Sequence, residues 1–331
     1  VTSLNQVTER NEERVVIAIG GNALSPAGGP AEIQTQFRHT RESLAPILEF
    51  ARHGWEIAIV HGNGPQVGDA LLRNERARST VDELPLGVLV AGTAGWIGYM
   101  IQQSLQNALA HEGIDRRVVT VINQVLVDPE DPSTHEPRKF VGRTVEPEVG
   151  SELIAEGVDL RSDRQGRLRR IVPSPEPLEI LESDTVRELV NRGTIVVSCG
   201  GGGIPVYLDP VLGLEGMDSV VDKDRAAAIL AHDIEASLLL ILTNVEGVYR
   251  SFGSPEQELI PRLTPEQGWA LLAEEDLGAG SMGPKLEAAI HFVEGGGWRS
   301  VIADLQRGAA ALHGSTGTTI TFELPSTATN R

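Results

Sequence analysis

Four times in this chain a short, unbroken aliphatic run ends at a glycine-rich or glycine-closed turn and gives way to a helical pattern. Val15-Val16-Ile17-Ala18-Ile19 leads into Gly20-Gly21-Asn22-Ala23, and Glu56-Ile57-Ala58-Ile59-Val60 into His61-Gly62-Asn63-Gly64-Pro65. Thr194 to Ser198 leads into Gly200-Gly201-Gly202-Gly203, and Leu238-Leu239-Leu240-Ile241-Leu242 into Thr243-Asn244-Val245-Glu246-Gly247. A strand that is apolar at successive positions has two faces to bury, so it needs a layer on each side. Helical patterns near 38–53, 93–112, 183–192, 223–233 and 283–294 supply those layers. Strands alternating with helices predict an α/β chain on a doubly wound, mainly parallel sheet. Ligands of such sheets bind beyond the carboxyl ends of the strands, where these glycine turns fall.

One segment breaks the rhythm. Asp128 to Pro175 is rich in proline, glutamate and arginine and has weak periodicity. It is too long for an ordinary loop within a compact domain. It predicts a small protruding subdomain or lid, with a plain surface insertion as the alternative. Around it the expected organisation is a polar tail at 1–13, an N-terminal lobe at 14–210 containing the 128–175 excursion, a C-terminal lobe at 211–324 and a second tail at 325–331.

Of the 28 basic residues only three are lysines, Lys139, Lys223 and Lys285. Lysine is a compact point charge on a flexible stem, whereas arginine is a broad planar fork. A site that clamps a moving phosphoryl group between point charges would keep lysine where the rest of the chain has turned to arginine. Lys139 lies in the irregular excursion, Lys223 in Val221-Asp222-Lys223-Asp224, and Lys285 in Gly280-Ser281-Met282-Gly283-Pro284-Lys285. The last two open helical patterns, where the macrodipole disfavours a cation unless it faces a bound anion. For Lys223 alone, a helix-capping aspartate followed by a surface lysine is an equal reading. Asp224 has two possible jobs, orienting the lysines or helping to hold a metal.

The glycine turns fit the same chemistry. Without a Cβ, backbone N–H groups approach phosphate oxygens closely. Gly20-Gly21 alone is a weak signal, but Gly62-Asn63-Gly64-Pro65 repeats it with proline suited to a first helical turn. Four consecutive glycines at 200–203 are entropically costly for a simple turn and predict a close backbone approach to a ligand, with an interlobe hinge as the competitor.

Composition narrows the alternatives. The 331 residues carry a formal charge of −18, which opposes binding to nucleic acid or anionic lipid and requires a local positive pocket for any anionic substrate. The single cysteine, Cys199, excludes an intrachain disulfide, and no apolar run approaches the roughly 20 residues that span a membrane. A cytoplasmic protein is the expectation. There is no G-x-x-x-x-G-K-[ST] loop, no strand-following G-x-G-x-x-G, no H-E-x-x-H and no G-x-S-x-G elbow.

From about Arg14 to Phe322 the chain resembles the carbamate kinases of the amino-acid-kinase superfamily. The resemblance rests on Ala18-Ile19-Gly20-Gly21-Asn22-Ala23, on His61-Gly62-Asn63-Gly64-Pro65-Gln66-Val67-Gly68, and on Ile97-Gly98-Tyr99. It continues through Val172-Pro173-Ser174-Pro175, Ser198 to Val206, Val221 to Asp224 and Gly280 to Ala289. It implies an open three-layer αβα sandwich with a protruding lid, usually as a homodimer. It implies reversible phosphoryl transfer between ATP and carbamate, giving ADP and carbamoyl phosphate, with Mg²⁺ carried on the nucleotide phosphates. In many hosts such kinases serve the breakdown of arginine or of purine-derived carbamoyl compounds. The family's three functional lysines fall on Lys139, Lys223 and Lys285.

The expected site follows. Lys139, Lys223, Lys285 and Asp224 would carry catalysis. Gly20, Gly21, Asn22, Gly62, Asn63, Gly64, Gly201 and Gly202 would contact substrate and phosphate. Thr243, Val245, Tyr249, Ser281, Met282 and Pro284 would line the nucleotide. The chain departs from the family at Ala94, Asn123, Phe140 and Leu168, around the lid and its approach. Two other readings stay open: a kinase of another small acid on this fold, and a nucleotide-binding regulator without transfer activity.

Overall fold

The computed structural model describes residues 13–24, 32–163, 165–275, 277, 282–313 and 315–322. Its main sheet has eight strands: β1 (Arg14–Ile19), β2 (Glu56–His61), β3 (Val118–Thr120), β4 (Ile195–Ser198), β5 (Leu238–Thr243), β6 (Arg262–Leu263), β7 (Arg299–Asp304) and β8 (Thr318–Ile320). They lie in the order β6-β8-β7-β5-β1-β2-β4-β3. Pairing is parallel from β7 through to β3, and β8, with β6 beside it, runs the other way. β1 lies between β2, its successor, and β5, which the chain reaches only after the rest of the first half is built. That reversal of direction leaves a crevice at the carboxyl ends of β1 and β5.

The apolar runs are buried on both faces. Val16 and Ala18 of β1 and Leu239 and Ile241 of β5 share one core with residues of two helices, α3 (Lys223–Asp233) and α4 (Gly283–Glu294). Val15, Ile17, Ile19, Leu238, Leu240 and Leu242 face the opposite core, with Phe50 and with Ile97 and Ile101 from α2 (Leu86–His111). The period-two alternation of the strand thus divides one run between two cores. Each such aliphatic side chain contributes roughly 1.5–3 kcal/mol on burial.

Helix boundaries depart from the sequence reading in two places. The helix expected at 93–112 begins at Leu86. Gly87, Gly92, Gly95 and Gly98 weaken its propensity, but Gly98 is where α2 meets β3: a Cβ there would come within 2.3 Å of the Thr120 side chain. The pattern at 38–53 is two helices, Ile33–Glu42 and Ala45–Arg52. Pro46, lacking an N–H, takes a first-turn position and starts the second of them. Among the described residues no helix is long and apolar enough to cross a membrane.

Within 128–175 the weak periodicity corresponds to a small antiparallel sheet, Lys139–Val145, Leu168–Val172 and Leu160–Ser162, with the helix Pro147–Ala155. Its strands are short and half-exposed, so they lack the aliphatic run of the main sheet. It docks on α1 (Gly64–Ala77) backbone to backbone, where a Cβ on Gly68 would lie 2.0 Å from the Cα of Gly142. Arg143 donates to Asp69 at 3.2 Å and Arg170 pairs with Glu75 beside that contact. Two positions singled out in the sequence lie here. The Arg169 guanidinium stands 5.2 Å from the Phe140 ring, and Leu168 fills the space over Gly150.

Gly68→Ala is expected to push the small sheet off α1 at a cost of about 1–3 kcal/mol. Amide exchange should then quicken across 139–172 while β1 and β2 stay protected. Unchanged exchange in both regions would contradict this docking.

Candidate active site

The turns after β1 and β2 touch. Gly62 N–H donates to the Ile19 carbonyl at 2.9 Å. A Cβ on Gly62 would meet Gly21 N at 2.9 Å and the Lys223 stem at 3.3 Å, so glycine lets Lys223 lie across both turns. Gly20 follows β1, and Gly21 opens a one-turn helix, Gly21–Leu24, that includes Asn22, whose side chain lies outside the described residues. Gly64 opens α1. Asn63 precedes α1 without capping it through its side chain. Its buried amide donates instead to Thr93 Oγ1 on α2 at 2.9 Å, and that hydroxyl is within 2.9 Å of the Leu89 and Val90 carbonyls. Thr93, which sequence reasoning passed over, therefore sets the direction of the Asn63 amide.

The glycine run packs closely against other parts of the protein. Gly201, at φ 71°, lies against the Asn63 amide, where a Cβ would come within 2.3 Å. Gly202, at φ 95°, lies equally close to the Val221 carbonyl, and Gly203 to Val125. Gly200 has His61 and Ala94 as neighbours, so the Ala94 methyl group lies against this turn. Cys199 begins the turn at φ 48°, a left-handed conformation held by Asn123, whose Oδ1 accepts from Cys199 N at 2.8 Å and Ser198 Oγ at 2.9 Å. Burial pushes the Cys199 thiol up to about 12, which leaves it inert as a nucleophile.

The three lysines converge. Asp222 caps α3, its Oδ1 accepting from the N–H groups of Asp224 at 2.8 Å and Arg225 at 3.3 Å. Its other oxygen receives the Lys139 ammonium. Asp224, buried in the first turn, takes Lys223 on Oδ1 and Lys285 on Oδ2, the latter at 3.1 Å. Both readings of Asp222-Lys223 hold in part, because the aspartate is a helix cap, but Lys223 is half-buried against Asp224 rather than free on the surface. Asp222 itself, noted in the sequence only as a flanking residue, is as much part of the cluster as Asp224.

Burial opposes charge on Asp222, Asp224, Lys223 and Lys285, and the outcome depends on partners. Burial alone would raise the Asp222 carboxyl, but Lys139, then Lys223 and Lys285, hold it well below the usual carboxylate range. Asp224 is likewise held down against burial, by Lys223 and Lys285. Burial lowers the Lys223 ammonium; Asp224 only partly offsets it, and Lys285 pushes the same way. Burial also lowers Lys285, but Asp224 and Asp222 outweigh it and leave it raised. Three ammonium groups against two carboxylates leave one net positive charge in a chain of charge −18.

Thr243 closes β5 at the same edge of the sheet, with Val245 in the turn beyond it and Tyr249 in a short strand. The Tyr249 hydroxyl is 3.4 Å from Glu246, which pairs with Arg307. Met282 and Pro284 begin α4, which has no side-chain cap; Ser281 lies outside the described residues.

His61 lies buried beneath these turns, with Nδ1 3.2 Å from the Gly62 carbonyl. Burial, abetted by the Lys223 charge, lowers its pKa from 6.5 to about 4. Between those values the unfolded chain takes a proton that the folded chain refuses, so stability rises with pH across that window and gains nothing more from this group above it. His61→Asn, which can still donate toward Gly62, should flatten the melting-temperature profile between pH 4 and 6.5. Parallel profiles for the two proteins would contradict this assignment.

Comparison with known proteins agrees with this geometry. The Amino acid kinase family profile matches residues 13–304. The carbamate kinase of Pyrococcus furiosus is 40% identical over 311 residues, covering 93% of this chain and 99% of that one. That of Halobacterium salinarum is 43% identical over 309 residues, covering 92% and 97%. The Giardia lamblia carbamate kinase solved with AMP-PNP superposes with a TM-score of 0.85 at 34% identity, covering 94% of this chain and 99% of that one. The chain belongs to the amino acid kinase family, among its carbamate kinases.

Proposed function

We propose that this cluster transfers a phosphoryl group between ATP and carbamate, ADP and carbamoyl phosphate being the other pair. The observation that carries the reading is the shared carboxylate: Asp224 holds Lys223 and Lys285 together beside the turns at Gly20-Gly21 and Gly62-Asn63. Carbamate is already an anion with a nucleophilic oxygen, so the reaction needs little base catalysis. Its demands are in-line positioning and neutralisation of charge on the moving phosphoryl.

In this reading Gly62, Asn63, Gly64 and Lys139 hold the carbamoyl group. Gly20, Gly21 and Asn22 cradle the transferring phosphoryl. Lys223 and Lys285 neutralise its bridging and leaving oxygens, and Asp224 keeps the two ammonium groups aimed. Gly201 and Gly202 act from behind, one seating Asn63 and the other the segment that ends in Asp222. The adenosine lies toward Thr243, Val245, Tyr249, Met282 and Pro284, with Ser281 in the adjoining segment.

Mg²⁺ fits as an ion brought by the nucleotide. Among the described residues there is no group of three or more histidine, cysteine, aspartate or glutamate side chains able to hold a metal. Both Asp224 oxygens are taken by lysines. The ion would therefore be coordinated by nucleotide phosphates and water, with Asp224 as an outer partner, and would screen phosphate charge. On the strength of the resemblance the reading extends to a homodimer working in the cytoplasm.

The test is ATP formation from ADP, Mg²⁺ and carbamoyl phosphate. Lys223→Arg and Lys285→Arg keep the charge but bring a planar fork into a filled space. Each is expected to lower kcat by about 100-fold or more. Near-normal turnover in either would remove the point-charge argument. ATP formed from another acyl phosphate, and none from carbamoyl phosphate, would move the acceptor to a different small acid.

A further inference from the structure

Asp222 divides its work between two oxygens. Oδ1 fixes the first turn of α3, the turn that carries Lys223 and Asp224. Oδ2 receives Lys139 from the first strand of the small 139–172 sheet. The cap of one helix is therefore also the anchor of a lysine from a separate sheet. A second contact repeats the arrangement one residue past Asp224. Arg225 pairs with Glu176, where the 128–175 excursion returns, and at 2.9 Å with Glu287 on α4, the helix of Lys285. Glu176 N–H donates to Asp131 at 3.1 Å, at the start of the same excursion. One helical turn thus holds Lys139 and Lys285, carries Lys223, and grips the returning end of the excursion, which is itself bonded to the starting end.

We propose that Asp222 is a positioning residue that draws Lys139 over the acceptor side of the site and holds it there. The proposal rests on the phosphoryl-transfer reading above. An ammonium group has three N–H bonds; the one given to Asp222 fixes the nitrogen and leaves two for an acyl phosphate. Without that anchor, a lysine on a half-exposed strand is one of many rotamers, and ordering it falls to the substrate.

Asp222→Asn separates the two jobs, because asparagine still caps a helix but offers Lys139 no charge. The expected result is a KM for carbamoyl phosphate raised about tenfold, with the KM for ADP within about twofold of wild type. Lys139→Met should raise the same KM, and adding Asp222→Asn to it should change nothing more, since the two residues act through one contact. Equal rises for both substrates, or additive effects in the double variant, would overturn the proposal.

Asp222→Ser, which also caps, serves if the asparagine variant does not fold. The chain has only three lysines, so [13Cε]lysine labelling gives three signals, with that of Lys139 identified by its loss in Lys139→Met. That signal is expected to move in Asp222→Asn, and an unmoved signal overturns the pairing. This readout needs no turnover. A wild-type protein that makes no ATP from carbamoyl phosphate would sink the transfer reading while the lysine spectrum still decides the role of Asp222.

Discussion

Two half-buried ammonium groups share one buried carboxylate, and the rest of the site is arranged around that pairing. Lys223 and Lys285 stand on different helices, and Asp224 gives one oxygen to each. Removing one partner from such a cluster leaves an uncompensated buried charge, typically at a cost of about 3–5 kcal/mol. The carboxylate therefore binds α3 to α4 and presents positive charge where the strand-end turns meet. With Asp222 and Lys139 added, the balance is one positive charge inside a strongly acidic molecule. That local inversion of sign is what an anionic substrate requires.

The sheet supplies the geometry. Parallel strands deliver their carboxyl ends to one edge, so the turns after β1, β2, β4 and β5 become neighbours although they are far apart in sequence. Glycine lets them come into contact. Gly62 admits Lys223, and Gly201 admits Asn63. Neutral His61 beneath them adds no competing charge.

What could be read from the residues divides along the line between local and distant contacts. Val15 to Ile19 and Leu238 to Leu242 announce buried parallel strands because every position is aliphatic, and the structure has them as adjacent central strands. The rarity of lysine singles out three positions that the fold brings to one cluster. The four glycines after Cys199 predict a close approach to a ligand, and the approaches visible in the fold are to distant parts of the chain. Their neighbours, Asn63, Val221 and Val125, come from other elements. Asp222 reads as a cap because capping is local; its pairing with Lys139, 83 residues away, is not. Thr93 acts through one hydrogen-bonding side chain and leaves no pattern in the sequence.

The most direct test of the shared carboxylate is Asp224→Asn, with ATP formation from carbamoyl phosphate and ADP affinity measured on the same preparation. Asparagine keeps the size of the side chain but leaves Lys223 and Lys285 facing each other without compensation. The account predicts a folded protein that still binds ADP while kcat falls by about 1,000-fold. Turnover within a few-fold of wild type would show that the two lysines do not depend on Asp224, and the account would fail at its centre.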